Sequence, residues 1–449
     1  MKIKTDSRKV LPGDTFIALK GIKTDGHKYV KEAIKNGASL VIVERGNYDV
    51  DTLIVNDTHE YLINYLKDNY YDEIKNMKLI GITGTNGKTT SCYILATALN
   101  KFGIKCGYIG TIGFYIEEKI CDLNNTTPDI LEIYDMLIKC HNEGCRYVTM
   151  EISSQALAMN RVSKVFFDYA VFTNLTKDHL DYHIDMKNYA LAKQKLFKQI
   201  KKDGYAIINI DDDYKNYFLL QNNNVTYGFN DANYKISSYK VENNITKFSL
   251  ENNNIIENYE TKLLGKYNVY NLVTMIIILK LIGLNYNKIK ELVYDAMPPS
   301  GRMETIVNGN NKIIVDYAHT PDAVQNILSS VKDLCVGRII TIIGCGGNRD
   351  KTKRPEMALV STSLSDYVIF TSDNPRGEKT EEIINDMIQK LDKKNYEIEI
   401  NRYEAIKKGI QMLMENDILL VLGKGHEDYQ IIGDKKYYFS DKNTILDIL

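Results

Sequence analysis

The chain has no Trp, and only seven Cys and seven Pro are spread over its 449 residues. Seven is an odd number, and no two of the cysteines stand as Cys-x-x-Cys. That excludes a fully paired disulfide framework and a zinc ribbon, and it suits a reducing cytoplasm. A strong charge of either sign is also missing: the formal net charge is -1, so there is no electrostatic ground for binding nucleic acid or a membrane surface. The opening MKIKTDSRKV lacks the apolar centre of a signal peptide. The longest apolar run, Leu272 to Leu284, contains Lys280 and is too short to span a bilayer. The abundance of Lys, Asn, Ile and Tyr reads as genome composition bias. These absences lead to the expectation of a cytoplasmic enzyme.

Length is the first positive signal, since single cores stop growing near ~250–300 residues. Three α/β units are expected, at 1–76, 77–298 and 299–449. The first holds strand-like runs Thr15 to Leu19, Leu40 to Val43 and Leu53 to Val55, a helical stretch Val30 to Asn36, and a polar linker Tyr70 to Asn76. In the second, strands are expected at Lys78 to Thr83, Tyr147 to Ile152, Tyr169 to Thr173 and Tyr205 to Ile210. It closes where Pro298 and Pro299 stop a helix. The third alternates strands Lys312 to Val315, Arg338 to Ile343, Tyr367 to Thr371 and Ile418 to Leu422 with helices. Alternation of this kind implies parallel sheets. Asn-rich 221–254 is poorly patterned and reads as a β excursion or surface loops.

The strand Lys78 to Thr83 runs straight into Gly84-Thr85-Asn86-Gly87-Lys88-Thr89-Thr90, and Ser91 to Phe102 then has helical spacing. Strand, glycine turn, helix is what a phosphate loop requires, because the backbone N–H groups curl around phosphate oxygens and the helix N-terminus favours anions. Lys88 supplies a point charge toward the terminal phosphates, and the Thr89 hydroxyl can ligate Mg²⁺. The general spacing G-x-x-x-x-G-K-[ST] fails, since Ile82 stands where it needs Gly. A glycine turn bearing a surface lysine is the bland reading, and the flanking strand and helix weigh against it.

With this shorter loop the chain resembles the muramyl peptide ligases, of which folylpolyglutamate synthetases are cousins. The similarity extends over nearly the whole chain. It rests on Asn125-Thr126-Thr127-Pro128, Glu151-Ile152-Ser153-Ser154, Thr173-Asn174-Leu175 and Asp178-His179-Leu180-Asp181-Tyr182-His183. Farther on it continues in Tyr317-Ala318-His319-Thr320-Pro321-Asp322 and Gly423-Lys424-Gly425-His426-Glu427-Asp428. The fold it implies is a small α/β N-terminal domain, a central phosphate-loop domain on a parallel sheet, and a Rossmann-like C-terminal domain.

The residues alone leave several roles open. Glu151 ends a strand, where it either reaches the loop's metal or is simply solvated. Asp178, His179, Asp181 and His183 read as a polar loop sooner than a metal cluster, because Mg²⁺ prefers oxygen. Lys193 reads as a surface lysine on a helix. Asn268 and Asn271 fall on one helix face and read either as capping or as ligand-binding. The resemblance implies more: Thr89 on a first Mg²⁺, Glu151 and His179 on a second, and Lys193 carbamylated into an oxygen ligand. It also implies Asn268 and Asn271 near the adenine of ATP, and Arg302 and Asp316 reaching across a cleft to the terminal phosphate and the ribose. Lys88, Lys193, His179 and Arg302 would be the catalytic set, in ATP-driven amide formation through an acyl phosphate.

The N-terminal Asp6-Ser7-Arg8, Pro12-Gly13-Asp14 and Phe16 to Leu19 resemble a uridine nucleotide domain that folylpolyglutamate synthetases lack. Thr5, Ser7, Ile22, Lys23 and Thr24 would contact the uridine diphosphate. Asn125, Thr126, Thr127, Ser153 and Arg161 would hold the muramoyl dipeptide. Asp373-Asn374-Pro375-Arg376 carries an Arg that can grip a carboxylate in a planar two-pronged pair, and it doubles as a type I turn with Pro second. Within the resemblance it is the motif for meso-diaminopimelate, completed by Arg349, Gly423 and Glu427. The expected partners are the UDP-linked dipeptide and a diamino acid, and a monomer is expected. The same ligase acting on lysine or another diamino acid, or a paralogue acting on another carboxylate, stays open. A nucleotide switch has no Asn-Lys-x-Asp signal to support it.

Overall fold

The computed structural model describes residues 2–21, 24–242, 245–332 and 334–449. The first sheet is four-stranded and parallel, with Ile3–Lys4, Thr15–Ile17, Leu40–Val43 and Asp51–Ile54 in that order. Successive side chains of a strand point to opposite faces. Phe16, Val41 and Val43 therefore pack with Val30 and Ala33 of the helix Val30–Lys35. Ile17 and Ile42 face the other way, onto Leu62 and Leu66 of the helix Thr58–Ile74.

The linker expected at Tyr70 to Asn76 is instead helical as far as Ile74. Asp57 caps this helix by accepting from the Glu60 N–H at 2.9 Å. Tyr71 packs edge-on against Phe166 and Tyr70 against Tyr65. Tyrosines counted as polar in the sequence supply apolar ring area here. The core under this helix continues into Leu79, Ile133 and Leu137 of the next unit.

The second sheet has eleven strands. Its order is Ile255–Thr261, Ile245–Asn252, Tyr234–Glu242, Asn224–Gly228, Ile200–Asn209, Phe167–Phe172, Lys78–Thr83, Tyr147–Glu151, Cys106–Gly110, Gly113–Ile116 and Glu118–Cys121. The centre is parallel, as the alternation implied. Both edges are antiparallel, and the Asn-rich stretch forms part of one of them. The apolar run expected near Leu272 lies in the helix Lys266–Leu281, whose residues from Leu272 to Leu279 are all buried. Each such aliphatic side chain stabilises the fold by ~1.5–3 kcal/mol. Among the described residues no helix is long and apolar enough to cross a membrane.

The third sheet runs Glu304–Asn308, Asn311–Asp316, Ile418–Leu422, Ile339–Ile343, Tyr367–Phe370 and Tyr396–Ile398, all parallel except the first. In such open sheets the loops beyond the carboxyl ends of the strands form the binding crevice. Three quoted motifs lie there, at Tyr317–Asp322, Asp373–Arg376 and Gly423–Asp428, together with the Gly346–Asp350 segment that carries Arg349. Two of these loops share one anchor. Arg402, fully buried, donates to the carbonyls of Ser372 and Leu422 at 3.1 and 2.9 Å and pairs with buried Asp441 at 2.7 Å.

Removing one partner of a buried pair strands the other charge, which typically costs about 3–5 kcal/mol. Arg402→Met is therefore expected to lose about that much stability in urea unfolding. Tyrosine emission can follow the transition, since Trp is absent. A loss indistinguishable from zero would show that the pair is not an anchor.

Candidate functional site

The glycine turn opens at the end of the strand Lys78–Thr83, between Glu151 and Phe172 of the neighbouring strands. A Cβ on Gly84 would stand 1.9 Å from Thr173 Oγ1, so the turn can approach Thr173 only as glycine. Gly87 has φ 87°, and a Cβ there would lie 2.6 Å from Asn271 Oδ1. Thr173 and Asn174 grip the turn from the next strand: Thr173 Oγ1 donates to the Asn86 carbonyl at 2.7 Å, and Asn174 accepts from the Thr85 and Asn86 N–H groups. The helix Lys88–Lys101 that follows has no side-chain cap, so its N-terminal N–H groups remain open to an anion. Lys88 Nζ donates to the carbonyls of Gly84 and Thr85, each at 2.8 Å, and desolvation lowers its pKa.

Behind the loop, Glu151 is buried rather than solvated. Its carboxylate accepts from Thr89 Oγ1 at 2.8 Å, Tyr108 OH at 2.5 Å and the Thr111 N–H at 2.8 Å. Lys193, read as a surface lysine, is only 1 % exposed. Its Nζ donates to the Gly84 carbonyl at 2.8 Å and lies 4.6 Å from the centre of the Tyr189 ring. Burial, and then the charge of Lys88, push its pKa well below the usual lysine value. The helix Met186–Phe197 turns this one lysine inward with Tyr189, Ala190 and Leu196, which spacing alone could not distinguish from its solvated neighbours.

His179 sits at φ 55°, its ring 3.4 Å from Asp178 Oδ2, and burial lowers its pKa. His183 turns away to Ser154 Oγ at 2.9 Å and stacks on Tyr189, and burial lowers its pKa to about 4. Among the described residues no three His, Cys, Asp or Glu side chains converge as a metal cluster. The structure thus brings Thr89 and Glu151 together, and it seats His179 within electrostatic reach of Lys193 and Lys88.

Above the turn lies a cleft of about 600 Å³ between the second and third sheets, within the ~300–1,000 Å³ usual for small-molecule sites. Asn268 and Asn271 line it and bond to each other at 3.1 Å, and Asn268 also donates to the Leu264 carbonyl at 2.8 Å. The pair thus lines the cleft, and neither side chain caps the helix, whose N-terminus has no side-chain cap. From the far side, Arg302 stacks on Tyr317 and brings Nη2 to 3.4 Å from Thr89 Oγ1. Asp316 accepts from the Met303 and Ala318 N–H groups, and burial raises its pKa.

Two buried atoms of residues lining this cleft, Arg302 Nε and Tyr267 OH, have no hydrogen-bond partner among the described residues. With the uncapped helix and the glycine cradle, these unspent donors fit an anionic nucleotide. The sequence reading gave Asp322 no role, yet it bridges the sheets: its Oδ2 accepts from Asn86 Nδ2 at 2.7 Å and Thr176 Oγ1 at 3.3 Å. Only the folded pairing of residues 236 apart in sequence reveals that contact.

Beyond Glu151, Thr127 Oγ1 donates to the Glu151 carbonyl at 2.7 Å, Arg161 donates to the Thr127 carbonyl at 3.2 Å, and Ser153 N donates to Thr127 Oγ1. Thr126 meets Thr111 at 3.0 Å, and Asn125 is exposed. In the first unit Ser7 Oγ donates to Glu32 at 2.8 Å, Thr24 Oγ1 to Tyr29 OH, and Thr5 is part-exposed. Ile22 and Lys23 lie outside the described residues.

On the third sheet, Asn374 Nδ2 donates to Glu427 at 2.8 Å, Lys424 bonds the same carboxylate at 3.3 Å, and burial raises the Glu427 pKa. A Cβ on Gly423 would come 2.6 Å from Asp373 Oδ2. The expected turn is shifted along the chain. Its hydrogen bond runs from Glu378 N to the Pro375 carbonyl at 3.0 Å, and Arg376, second in it, has φ 52°, which excludes type I. Arg349 is exposed at the same rim.

Three protein-family models match successive stretches: "Mur ligase family, catalytic domain" over residues 2–75, "Mur ligase middle domain" over 82–279 and "Mur ligase, glutamate ligase domain" over 301–425. A protein of Clostridium perfringens named UDP-N-acetylmuramoyl-L-alanyl-D-glutamate–2,6-diaminopimelate ligase is 40 % identical, over 100 % of this chain and 94 % of its own length. A Fusobacterium nucleatum protein of the same name is 41 % identical, over 98 % and 92 %. A solved structure titled with that ligase name is 32 % identical, with a TM-score of 0.69, over 99 % of this chain and 94 % of its own. A phosphate turn, a cross-cleft arginine and full-length identity at this level meet in one conclusion: the chain belongs to the Mur ligase family.

Proposed function

We propose that this protein is the ATP-dependent ligase that joins meso-diaminopimelate to the D-glutamate of UDP-N-acetylmuramoyl-L-alanyl-D-glutamate in peptidoglycan synthesis. One observation carries the reading: a single rim of the third sheet bears both Arg302, aimed at the phosphate turn, and the loop of Arg376, which can grip a carboxylate. The full-length relatives bear the matching ligase name. Residues 1–76 would serve the uridine nucleotide, 77–298 the ATP, and 299–449 the amino acid. Action in the cytoplasm as a monomer is part of the reading.

A carboxylate is a poor electrophile because its leaving group would be oxide. Attack by the glutamyl carboxylate on the γ-phosphorus of ATP gives an acyl phosphate and ADP. The amine then adds to the acyl carbon, and the tetrahedral intermediate expels phosphate as the amide forms and the amine proton departs. The protein contributes position and charge. Lys88 and Arg302 approach from opposite sides of the cleft, with the terminal phosphates between them. Asn268, Asn271 and Asp316 orient the nucleoside. Thr126, Thr127, Ser153 and Arg161 hold the dipeptide, while Arg349 and Arg376 bind the distal carboxylate of the amine.

Thr89, Glu151, His179 and a carbamylated Lys193 would hold Mg²⁺, which when bound neutralises charge on the transferring phosphoryl group. The donors suit it. Glu151 is a buried carboxylate whose polar contacts are hydroxyls and one amide, and Lys193 is a buried amine whose pKa is pushed well below the usual lysine value, which favours its neutral form. A neutral amine adds CO₂ and releases a proton to become a carbamate, an oxygen donor.

Phosphate release is expected only when ATP, the UDP-linked dipeptide and diaminopimelate are all present. Stimulation by lysine in place of diaminopimelate would assign a different amine, and no stimulation by any amine would remove the ligase. Arg376→Ala is expected to raise the KM for diaminopimelate by roughly 100-fold, as loss of a two-pronged charged contact does, with ADP binding kept; equal loss of both would count against the assigned role. Lys193→Ala should cut kcat by about two orders of magnitude or more while ADP still binds by calorimetry, and near-normal turnover would exclude the carbamate.

A further inference from the structure

The loops that carry Arg349 and Arg376 are zipped together over residues 346–351 and 374–378. The Gly347 N–H donates to the Asn374 carbonyl at 2.9 Å, and Arg376 Nη1 donates to the Gly347 and Asn374 carbonyls at 3.1 and 3.3 Å. A Cβ on Gly347 would stand 1.9 Å from the Pro375 carbonyl oxygen, so the contact admits no side chain. An ion pair ties the two loops together. Arg354, in the helix Lys353–Leu364, has no exposed surface and meets both oxygens of Glu378, at 2.9 and 3.0 Å. It also donates to Asp386 at 2.7 Å and to the Gly346 carbonyl at 3.3 Å. Glu378 in turn accepts from the Asn348 N–H at 2.5 Å and pairs with Lys351 at 3.1 Å. Its pKa falls to about 2, chiefly through the hydrogen bond from Arg354.

We propose that the Arg354–Glu378 pair is the positioning device of the amino-acid pocket, fixing the separation and direction of Arg349 and Arg376. Two guanidinium groups at one rim repel each other, and each is on a loop that could swing. A carboxylate clamp discriminates only if its donors are preset, because ordering them at binding would consume the affinity they provide. The pair reaches both loops at once, through the Gly346 carbonyl and the Asn348 N–H on one side and through the Glu378 backbone on the other. It touches neither nucleotide nor reacting atoms, so its effect should appear in recognition of the amine rather than in the chemical step.

This inference rests on the amine-binding reading above. The test uses the full chain with Glu378→Gln and Arg354→Lys, which keep hydrogen bonding while weakening the pair. The readouts are KM for diaminopimelate, KM for ATP, kcat, and the preference for diaminopimelate over lysine. Each variant is expected to raise KM for diaminopimelate by roughly tenfold, as misplacement of binding groups does. The preference over lysine should shrink in step, with KM for ATP and saturating kcat near those of the unaltered chain. Uniform loss of kcat with the preference intact would assign the pair a merely structural role and overturn the proposal, as would unchanged kinetics. If a variant is unstable, Glu378→Asp, which keeps the charge and shortens its reach by one methylene, must shift the same preference or the proposal falls. Failure of the unaltered chain to use diaminopimelate would refute the underlying reading, and this inference with it.

Discussion

A phosphate-binding turn depends on keeping positive charge recessed and unspent, an arrangement that water and the protein interior both resist. Lys88, Lys193 and the Nε of Arg302 all sit with carbonyls, ring faces or nothing as partners, although carboxylates are close by. Glu151 is tied up by Thr89, Tyr108 and Thr111, and Asp316 by two backbone N–H groups. Each acid therefore has its oxygens occupied and does not collapse onto the nearest cation. The cleft retains a net pull on a polyanion because its internal hydrogen bonds satisfy the acids first.

The same division of labour recurs on the third sheet. Arg402 and Arg354 are buried and brace loops through carbonyls and carboxylates, whereas Arg302 leaves its Nε unspent at the cleft and Arg349 is exposed at the rim. A planar guanidinium with several fixed donors can brace two loops at once, which a lysine could not do. Strand ends, glycine contacts and arginine braces bring motifs far apart in the chain to facing edges of two sheets. The Asn86–Asp322 and Arg302–Thr89 contacts span the gap between them.

Much of this was legible in the residues. Strand Lys78–Thr83, the turn and the helix after it stand where their spacing placed them, because β-branched runs and glycine leave the backbone few options. Tyr70 to Ile74 was misread because tyrosine counts as polar by composition and packs as an aromatic. Lys193 was misread because a helix of several lysines does not mark which one faces inward. The turn after Pro375 was displaced because the φ of Arg376 is imposed by its pairing with the Ile431 and Ile432 segment.

By itself the sequence determined the α/β alternation, the phosphate turn and, through its ordered motifs, the family. Those depend on local backbone preference and on residue identity, which are written position by position. Tertiary structure alone decided which charges are buried and which are free. It lowered the pKa of Lys193, seated Glu151 under Thr89, joined Asp322 to Asn86 and set Arg354 beneath the loops of Arg349 and Arg376. Burial and pairing are properties of the whole packed chain, because the desolvation that shifts a charge comes from residues brought near it only by folding.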